Sequence, residues 1–465
     1  MNRSRHLANK TALIDPVRYT PEFSYRRLAN SAGRDRSRAE ELYCEGVALS
    51  RIADAVDTPA YVYSRAAIES AYRRLDRAFG SLPHTICYGT KANSNLSVLK
   101  VLARLGSSFD IVSGGELDRL HRIGVSGQRI VFSGVGKSRE EIRETLRYRN
   151  ARSNNGKRAG RQGILLFNVE SESELEVLLS EASHHVAAGG APPGVAIRVN
   201  PDVLAGGHPH ISTGHHHHKF GVSWPVARRL YLAQKNSSAI RWRGITSHIG
   251  SQILSVAPYR RALARLASYV RDLAQNGIGL DFVDIGGGIG IRYTDETPLV
   301  PTEYARALAE IVRPLGCRLL IEPGRSIVGS AGILLTRVLY VKQNGGKTFV
   351  IVDAAMNDLI RPVLYNATHA ITPAVHSSSL PGAPELIDVV GPVCESGDFL
   401  ARDWPLPPVK TGDLLVVWTA GAYSFAQSSN YNARRRVAEV LVEGHRFRIV
   451  RRRETYDDLV RGEPL

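Results

Sequence analysis

A lysine closes the apolar run Thr85-Ile86-Cys87-Tyr88-Gly89-Thr90-Lys91, and Ala92-Asn93 opens a helix-like stretch. A lysine at the mouth of a barrel is partly desolvated, which lowers its pKa and makes it an amine nucleophile able to form a Schiff base with an aldehyde. For an isolated lysine, a side chain snorkelling at a strand end explains the same placement. What gives Lys91 weight is the set of polar residues where later apolar runs end. These are Asp110, Ser133, Asn168, Asn200, His248 with Ser251, the turn Gly286-Gly287-Gly288, and Glu322-Pro323-Gly324-Arg325. Several unrelated segments that deliver polar groups to one face are hard to explain as a packing accident.

Each group suits a definite task, and each has a plainer explanation when taken singly. Gly286-Gly287-Gly288-Ile289-Gly290 lets backbone N–H groups approach a phosphate, and it also suits an ordinary tight turn. Glu322 can hold a proton on a pyridine nitrogen, and Arg325 can grip a carboxylate or phosphate with two parallel N–H groups. An ion pair at a strand end accounts for the same two residues. His248 can stack on a flat ring or satisfy a core hydrogen bond. Further on, Gly391-Pro392-Val393-Cys394-Glu395-Ser396-Gly397-Asp398 sets a thiol beside a carboxylate. Cys394 suits a proton donor or an inert buried thiol, and Glu395 suits a substrate ammonium. Tyr423 offers a phenol to a ligand or to a core. Arg361, in Met356-Asn357-Asp358-Leu359-Ile360-Arg361-Pro362-Val363-Leu364-Tyr365, suits a second carboxylate or a surface ion pair. His215-His216-His217-His218 has no defined ligand geometry and reads as a solvated loop, with no metal site expected.

Eight short apolar runs must position the first group: Thr85–Ala92, Phe109–Gly114, Arg129–Gly134, Gly163–Val169, Gly194–Asn200, Gly244–Gly250, Phe282–Gly288 and Arg318–Gly324. Helix-like segments alternate with them, from Ala66–Phe79 before the first to Thr302–Val312 before the last. Alternation of this kind implies parallel strands joined by right-handed crossovers, and eight units of about 250 residues match a (β/α)8 barrel. After Arg325 the texture changes to successive strand-like runs: Gly332–Lys342, Thr348–Asp353, Leu386–Val390, Asp413–Thr419, Ala438–Val442 and Phe447–Arg452. Asn344-Gly345-Gly346 reads as a hairpin turn, and Thr372–Pro384 as a surface loop. The expected organisation is a basic, flexible extension over residues 1–40 and a segment 41–63 whose run Thr58–Tyr63 joins the β domain. A barrel over 64–325 and a mostly-β domain over 326–465 follow. Asn150–Arg161 reads as a mobile insert.

The chain has 465 residues, 43% hydrophobic and 22% charged, ordinary values for a globular protein of two domains. No apolar stretch is long enough to span a bilayer. The first thirty residues lack an apolar core for a secretory signal, and Asp15 and Glu22 argue against a transit peptide. The four cysteines form no C-x-x-C pair, which fits a reduced cytoplasmic setting. A net charge of +16 raises the question of nucleic acid. The charge clusters in the N-terminal extension, in Arg147–Arg161, in Arg434-Arg435-Arg436 and in Arg451-Arg452-Arg453, without interleaved aromatics. Solvated basic faces are the expectation, with no nucleic-acid or membrane partner.

Taken together, these motifs resemble the diaminopimelate decarboxylases, pyridoxal-phosphate enzymes of the alanine-racemase-like, ornithine-decarboxylase-like barrel group. The likeness runs from about Glu45 to Asp458, through Tyr88–Asn93, Phe109–Leu117, Asn168–Leu175, Ile211–Gly214, His248–Ile253, Asp284–Gly290, Glu322–Gly329, Met356–Tyr365, Gly391–Phe399 and Gly421–Asn432. The lysine, histidine, glycine and Glu-Pro-Gly-Arg blocks belong to the wider group; the Met356 and Cys394 blocks together are more specific. The resemblance implies an alanine-racemase-type barrel with a mostly-β C-terminal domain and pyridoxal 5'-phosphate as cofactor. It makes Lys91 the Schiff-base lysine and His248 the residue that stacks on the ring. It places Asp110, Ser251, Gly287, Gly288, Glu322, Pro323, Gly324, Arg325 and Tyr423 around the cofactor. Arg325, Arg361, Tyr365, Glu395 and Tyr423 would meet the substrate. Cys394 would return a proton from the partner subunit of a homodimer whose active site is shared. The implied reaction converts meso-diaminopimelate to L-lysine and carbon dioxide, the last step of lysine biosynthesis.

A same-fold decarboxylase for another basic or D-amino acid is the nearest alternative, although Arg361 and Glu395 speak against simple diamine precursors. A catalytically inactive regulator on this fold is the alternative from another class, and it would be expected to lack Lys91 or Cys394. The chain departs from the family pattern in its basic extension, the Asn150–Arg161 insert, the four-histidine loop and Arg434-Arg435-Arg436.

Overall fold

A computed structural model describes residues 16–27, 39–148, 163–203, 219–377 and 383–464. The insert Asn150–Arg161, the loop with Ile211–Gly214 and His215–His218, and most of the basic extension lie outside the described residues. The described chain divides into two compact units, one formed by Ala71–Ile291 with Thr297–Ser326, the other by the remainder, including Arg292–Glu296.

The first unit is built on a closed barrel of eight parallel strands, as the alternating pattern requires. In chain order they are β1 (His84–Gly89), β2 (Ser108–Ile111), β3 (Ile130–Phe132), β4 (Leu166–Val169), β5 (Gly194–Arg198), β6 (Arg241–Thr246), β7 (Phe282–Asp284) and β8 (Arg318–Ile321). Closure comes from β8 pairing with β1, Leu320 opposite Thr85. The strands are short and buried on both faces, so they read as continuous apolar runs. Cys87, Val131, Leu166, Ala196, Phe282 and Leu320 pack as one interior cluster. Helices start where serine caps allow. Ser113 and Ser171 accept the N–H groups of Glu116 and Glu174, and Ser138 forms a full capping box with Glu141. The longest helix of this group runs from Glu172 to Ala187. Lys91 lies one short turn past β1, in the 3-10 segment Thr90–Ala92.

The second unit holds a nine-stranded sheet. Its path runs through Phe399–Leu406, Glu385–Val390, Lys347–Val352, Gly332–Asn344, Ala60–Ser64, Ala438–Glu443 and Arg446–Arg451. The early strand Ala60–Ser64 joins it as expected, antiparallel to Gly332–Asn344 and parallel to Ala438–Glu443. Gly345 and Gly346 both have positive φ, 57° and 76°, the backbone a two-residue hairpin needs. Val62, Ile333, Leu335, Val416, Trp418, Val440 and Val442 form its core with Phe23 and Leu42.

Four sequence expectations change here. Residues before Glu40 are not uniformly without structure: Phe23–Arg27 is a strand paired with Ala39–Cys44, held because Phe23 packs edge-on against Trp418 at 5.6 Å. Phe399–Leu406 is a strand that Arg402, Asp403 and Pro405 disguise, and Pro405 is tolerated at the end of the sheet path, on an edge strand. The stretch read as a loop from Thr372 overlaps the strand Ile371–Pro373 and contains the strand Val375–Ser377, anchored where the Ala374 N–H donates to the Leu414 carbonyl at 2.8 Å. The basic clusters are not simply solvated. Arg434 and Arg453 donate to the carbonyls of Asp353 (2.6 Å) and Pro59 (2.7 Å), and Arg451 pairs with the buried Glu439. No helix among the described residues is long and apolar enough to cross a membrane.

Candidate active site

The barrel's C-terminal rim gathers the first group of residues. Lys91 Nζ donates to Asp110 Oδ2 at 2.6 Å. Asp110 stands at the position of β2 paired with Gly89 of β1, so the sheet register itself sets the ion pair. The Lys91 side chain is 38% exposed and that of Asp110 fully buried, so the ion pair sits at a partly open rim. A Cβ added at Gly89 would lie 3.7 Å from both Lys91 Nζ and the Glu322 carbonyl, which places β1 and the end of β8 side by side here.

Glu322 is buried, and its Oε1 has no hydrogen-bond partner among the described residues. Burial first, then the neighbouring Asp110 and Asp284, hold its carboxyl well above the usual carboxylate range. Asp284, also raised mainly by burial, accepts the Gly286 N–H at 2.8 Å and so shapes the glycine turn. Asp110, Asp284 and Glu322 thus form a group of buried carboxyls that act on one another, with Lys91 paired to Asp110 and the Arg198 guanidinium near enough to act on Asp284.

The His248 ring closes the other side. The Gly287 N–H donates to His248 Nδ1 at 3.0 Å, which leaves Nε2 to carry the proton of the neutral ring. Burial, with Arg198 and Lys91 nearby, keeps its pKa well below the ordinary histidine range. Arg325, buried at the end of β8, donates through Nη2 to Ser251 Oγ at 3.1 Å. The Pro323 carbonyl accepts the Gly89 N–H at 3.1 Å.

Gly288 has φ +90°, and a Cβ there would sit 2.1 Å from the Gly250 carbonyl oxygen. Gly288→Ala is therefore expected to cost about 2–4 kcal/mol of stability through strain and overlap. Gly136→Ala, where a Cβ meets nothing within 4 Å, should stay within about 0.5 kcal/mol. Urea unfolding midpoints check this, and equal midpoints for the two variants would refute it.

The second unit holds the rest. Arg361 is buried at the start of the helix Arg361–Tyr365 and donates to Tyr293 Oη at 2.7 Å. The Tyr365 hydroxyl accepts from Gln427 at 3.1 Å. Cys394 carries an exposed thiol, while its N–H donates to Asn432 Oδ1 at 2.8 Å. Glu395 hydrogen-bonds Tyr431 and lifts that phenol's pKa. Tyr423 takes a left-handed backbone, φ 56°. The barrel residues lie in one unit, and Arg361, Tyr365, Cys394, Glu395 and Tyr423 in the other.

Several groups escaped the sequence reading. Asp398 accepts the N–H groups of both Met356 and Val393, each at 2.7 Å, and so ties the Arg361 segment to the Cys394 loop. Glu116 lies near Lys91 and Asp110, accepts the Val112 N–H at 2.8 Å, and is pushed up to about 7, chiefly by burial. Its Ser-x-x-Glu spacing signals only a helix start. Lys137, fully buried, donates to the carbonyls of Gly134 and Asn168 and to Glu174 at 2.7–2.8 Å. Arg198 pairs with Glu170 at 2.9 Å. No local motif marks either pair, because the partners stand 37 and 28 residues apart in the chain. Among the described residues no cluster of His, Cys, Asp or Glu could hold a metal ion.

Known proteins resemble this chain over most of its length. Residues 65–329 match the family model described as the pyridoxal-dependent decarboxylase, pyridoxal binding domain. The diaminopimelate decarboxylase of Pseudomonas aeruginosa is 48% identical over 431 residues, covering 92% of this chain and 98% of that protein. The crystal structure of diaminopimelate decarboxylase from Helicobacter pylori complexed with L-lysine superposes with TM-score 0.81 at 39% identity, covering 89% of this chain and 98% of the other. That from M. jannaschii in co-complex with L-lysine gives TM-score 0.81 at 32% identity, covering 91% and 96%.

Proposed function

The chain belongs to the diaminopimelate decarboxylases, within the pyridoxal-dependent decarboxylases, and on that premise we propose that it converts meso-diaminopimelate to L-lysine and carbon dioxide with pyridoxal 5'-phosphate. The observation that carries the reading is the rim of the barrel, where Lys91 is held by Asp110 beside the buried, unpartnered Oε1 of Glu322. The residues fit this cofactor. A protonated pyridine nitrogen would add a positive charge beside the buried carboxyls of Asp110, Asp284 and Glu322, where the Glu322 Oε1 has no hydrogen-bond partner among the described residues.

The chemistry such a cofactor supplies when bound is an aldehyde for amines and a protonated ring that accepts the electron pair left by a departing carboxylate. Lys91 would hold it through Nζ, and Asp110 keeps that amine aimed. Glu322 would hold the proton at the ring nitrogen. His248 would lie against the ring face, its Nδ1 already fixed by Gly287. Ser251, Gly287, Gly288, Pro323, Gly324, Arg325 and Tyr423 would complete the cradle. For the substrate, Arg361 would supply a buried cation for the distal carboxylate and Glu395 an anion for the distal ammonium, and Arg325, Tyr365 and Tyr423 are read as further substrate contacts. Cys394 would return the proton to carbon. Its thiol is exposed, as are Leu364 at 49% and Tyr431 at 45%. A proton donor facing bulk water would be poorly placed, so the reading takes a homodimer in which the partner covers this surface. The four free cysteines suit a reducing cytoplasm.

Glu322→Gln keeps the shape but not the charge that retains a proton on the ring nitrogen. We expect kcat to fall about a hundredfold with cofactor still bound. Stopped or steady-state assays of the loaded variant check this, and an unchanged kcat would remove Glu322 from the chemistry. The function itself is tested by carbon dioxide release from meso-diaminopimelate, L-lysine, L-ornithine, L-arginine and D-lysine. Release from the first alone, with L-lysine accumulating, is expected. Release from another member reassigns the substrate, and none at all with cofactor bound favours an inactive regulator.

A further inference from the structure

We propose that His369 is a positioning residue for the substrate: as a neutral imidazole it locks the Arg361 guanidinium so that one fixed edge faces the distal carboxylate. This rests on the reading of Arg361 as the cation for that carboxylate.

Arg361 Nη1 lies 2.7 Å from Tyr293 Oη and 3.2 Å from His369 Nε2. His369 Nδ1 lies 2.8 Å from the Trp418 carbonyl oxygen. A carbonyl only accepts, so Nδ1 carries the proton and Nε2 presents a lone pair to the arginine. That assignment makes His369 an acceptor toward Arg361 and not a competing cation. The histidine is fully buried, and its ring meets Tyr293 edge-on, centroids 5.2 Å apart at 82°. Tyr293 also lies under the guanidinium, 4.7 Å from ring centre to Cζ.

The anchor behind His369 is rigid. Trp418 is fully buried, its N–H donates to the Ala370 carbonyl, and its indole N–H donates to Thr372 Oγ1, both at 2.9 Å. A chain of fixed contacts therefore runs from Trp418 through His369 to Arg361. Nη1 carries two N–H groups, and Tyr293 and His369 are the acceptors for them. On this proposal a carboxylate would be met at the Nε and Nη2 side edge, whose geometry suits two parallel hydrogen bonds. Nothing in the residue order around His369 announces this role, because its partners are Trp418 and Tyr293, distant in sequence.

Histidine variants that divide its two hydrogen bonds test the proposal in the cofactor-loaded enzyme. Asparagine reaches where Nδ1 is and keeps a donor for Trp418. Glutamine reaches where Nε2 is and keeps an acceptor for Arg361. His369→Asn should raise KM for meso-diaminopimelate, and the inhibition constant of L-lysine, about tenfold. The inhibition constant of cadaverine, which has no carboxylate, should not move, and kcat should stay within about threefold. His369→Gln should return KM to within about threefold of the parent. Tyr293→Phe removes the other acceptor and should give the same KM-only pattern even where His369→Asn folds poorly. Equal behaviour of the Asn and Gln variants, or equal weakening of L-lysine and cadaverine, marks a merely structural histidine and overturns the proposal. Arg361→Met separates the two readings. An unchanged KM there strikes the substrate role of Arg361 itself, whereas a raised KM beside an inert His369→Asn strikes only His369.

Discussion

Lys91→Ala is expected to lose decarboxylation entirely, a fall in kcat on the order of 10^4-fold or more, together with the visible absorbance of bound cofactor. The substitution removes the only lysine Nζ that meets Asp110 on the barrel rim among the described contacts. It also leaves Asp110 as a buried carboxyl without its cation. That second effect should cost stability, about 1–2 kcal/mol, the lower end for a pair whose lysine is more than a third exposed. The two effects can be separated. Lys91→Arg keeps a cation for Asp110 but cannot form a Schiff base. It should unfold like the parent and still be inactive and colourless. Activity in either variant above a hundredth of the parent would sink the assignment of Lys91.

The barrel was legible because its signal is local. Each strand is a short apolar run ended by a polar residue or a glycine, and parallel crossovers leave little choice of topology. Lys91, Asp110, His248, the glycine turn and Glu322–Arg325 were legible for the same reason: the rim of a barrel is where strand ends place polar groups. The residues that could not be read have partners far away in sequence. Phe23 is explained only by Trp418, His369 only by Arg361 and Trp418, and Asp398 only by its bond to Met356. Arg198 carries no mark that it pairs with Glu170. The edge strand Phe399–Leu406 was hidden because charge and proline at an edge read as a loop, although an edge is where a sheet tolerates both. The ion pair of Lys91 could not be read, since the sequence shows the apolar run before Lys91 but not the carboxylate that β2 delivers beside it.

Cys394→Ala should lower kcat about a thousandfold, the loss typical when a proton donor is removed, while cofactor stays bound and KM changes little. The loop around it explains why the backbone should survive the change. Asp398 accepts the Val393 N–H and Asn432 accepts that of Cys394, so the thiol itself contributes nothing to the fold that the loop lacks elsewhere. Its exposure then carries a sharper consequence. If the donor serves the partner's barrel, Lys91→Ala and Cys394→Ala subunits are dead alone but complementary together. In a mixed dimer one site has both residues intact and the other has neither. Random pairing of equal amounts makes half the dimers mixed, each with one working site, so co-expression should restore about a quarter of parental activity. Mixed dimers isolated through two different affinity tags should reach about half. If Cys394 instead serves its own chain, each site in a mixed dimer lacks one of the two residues, and isolated mixed dimers remain inactive. That result would place the proton donor within one subunit and remove the reason for the exposed thiol to be covered by a partner.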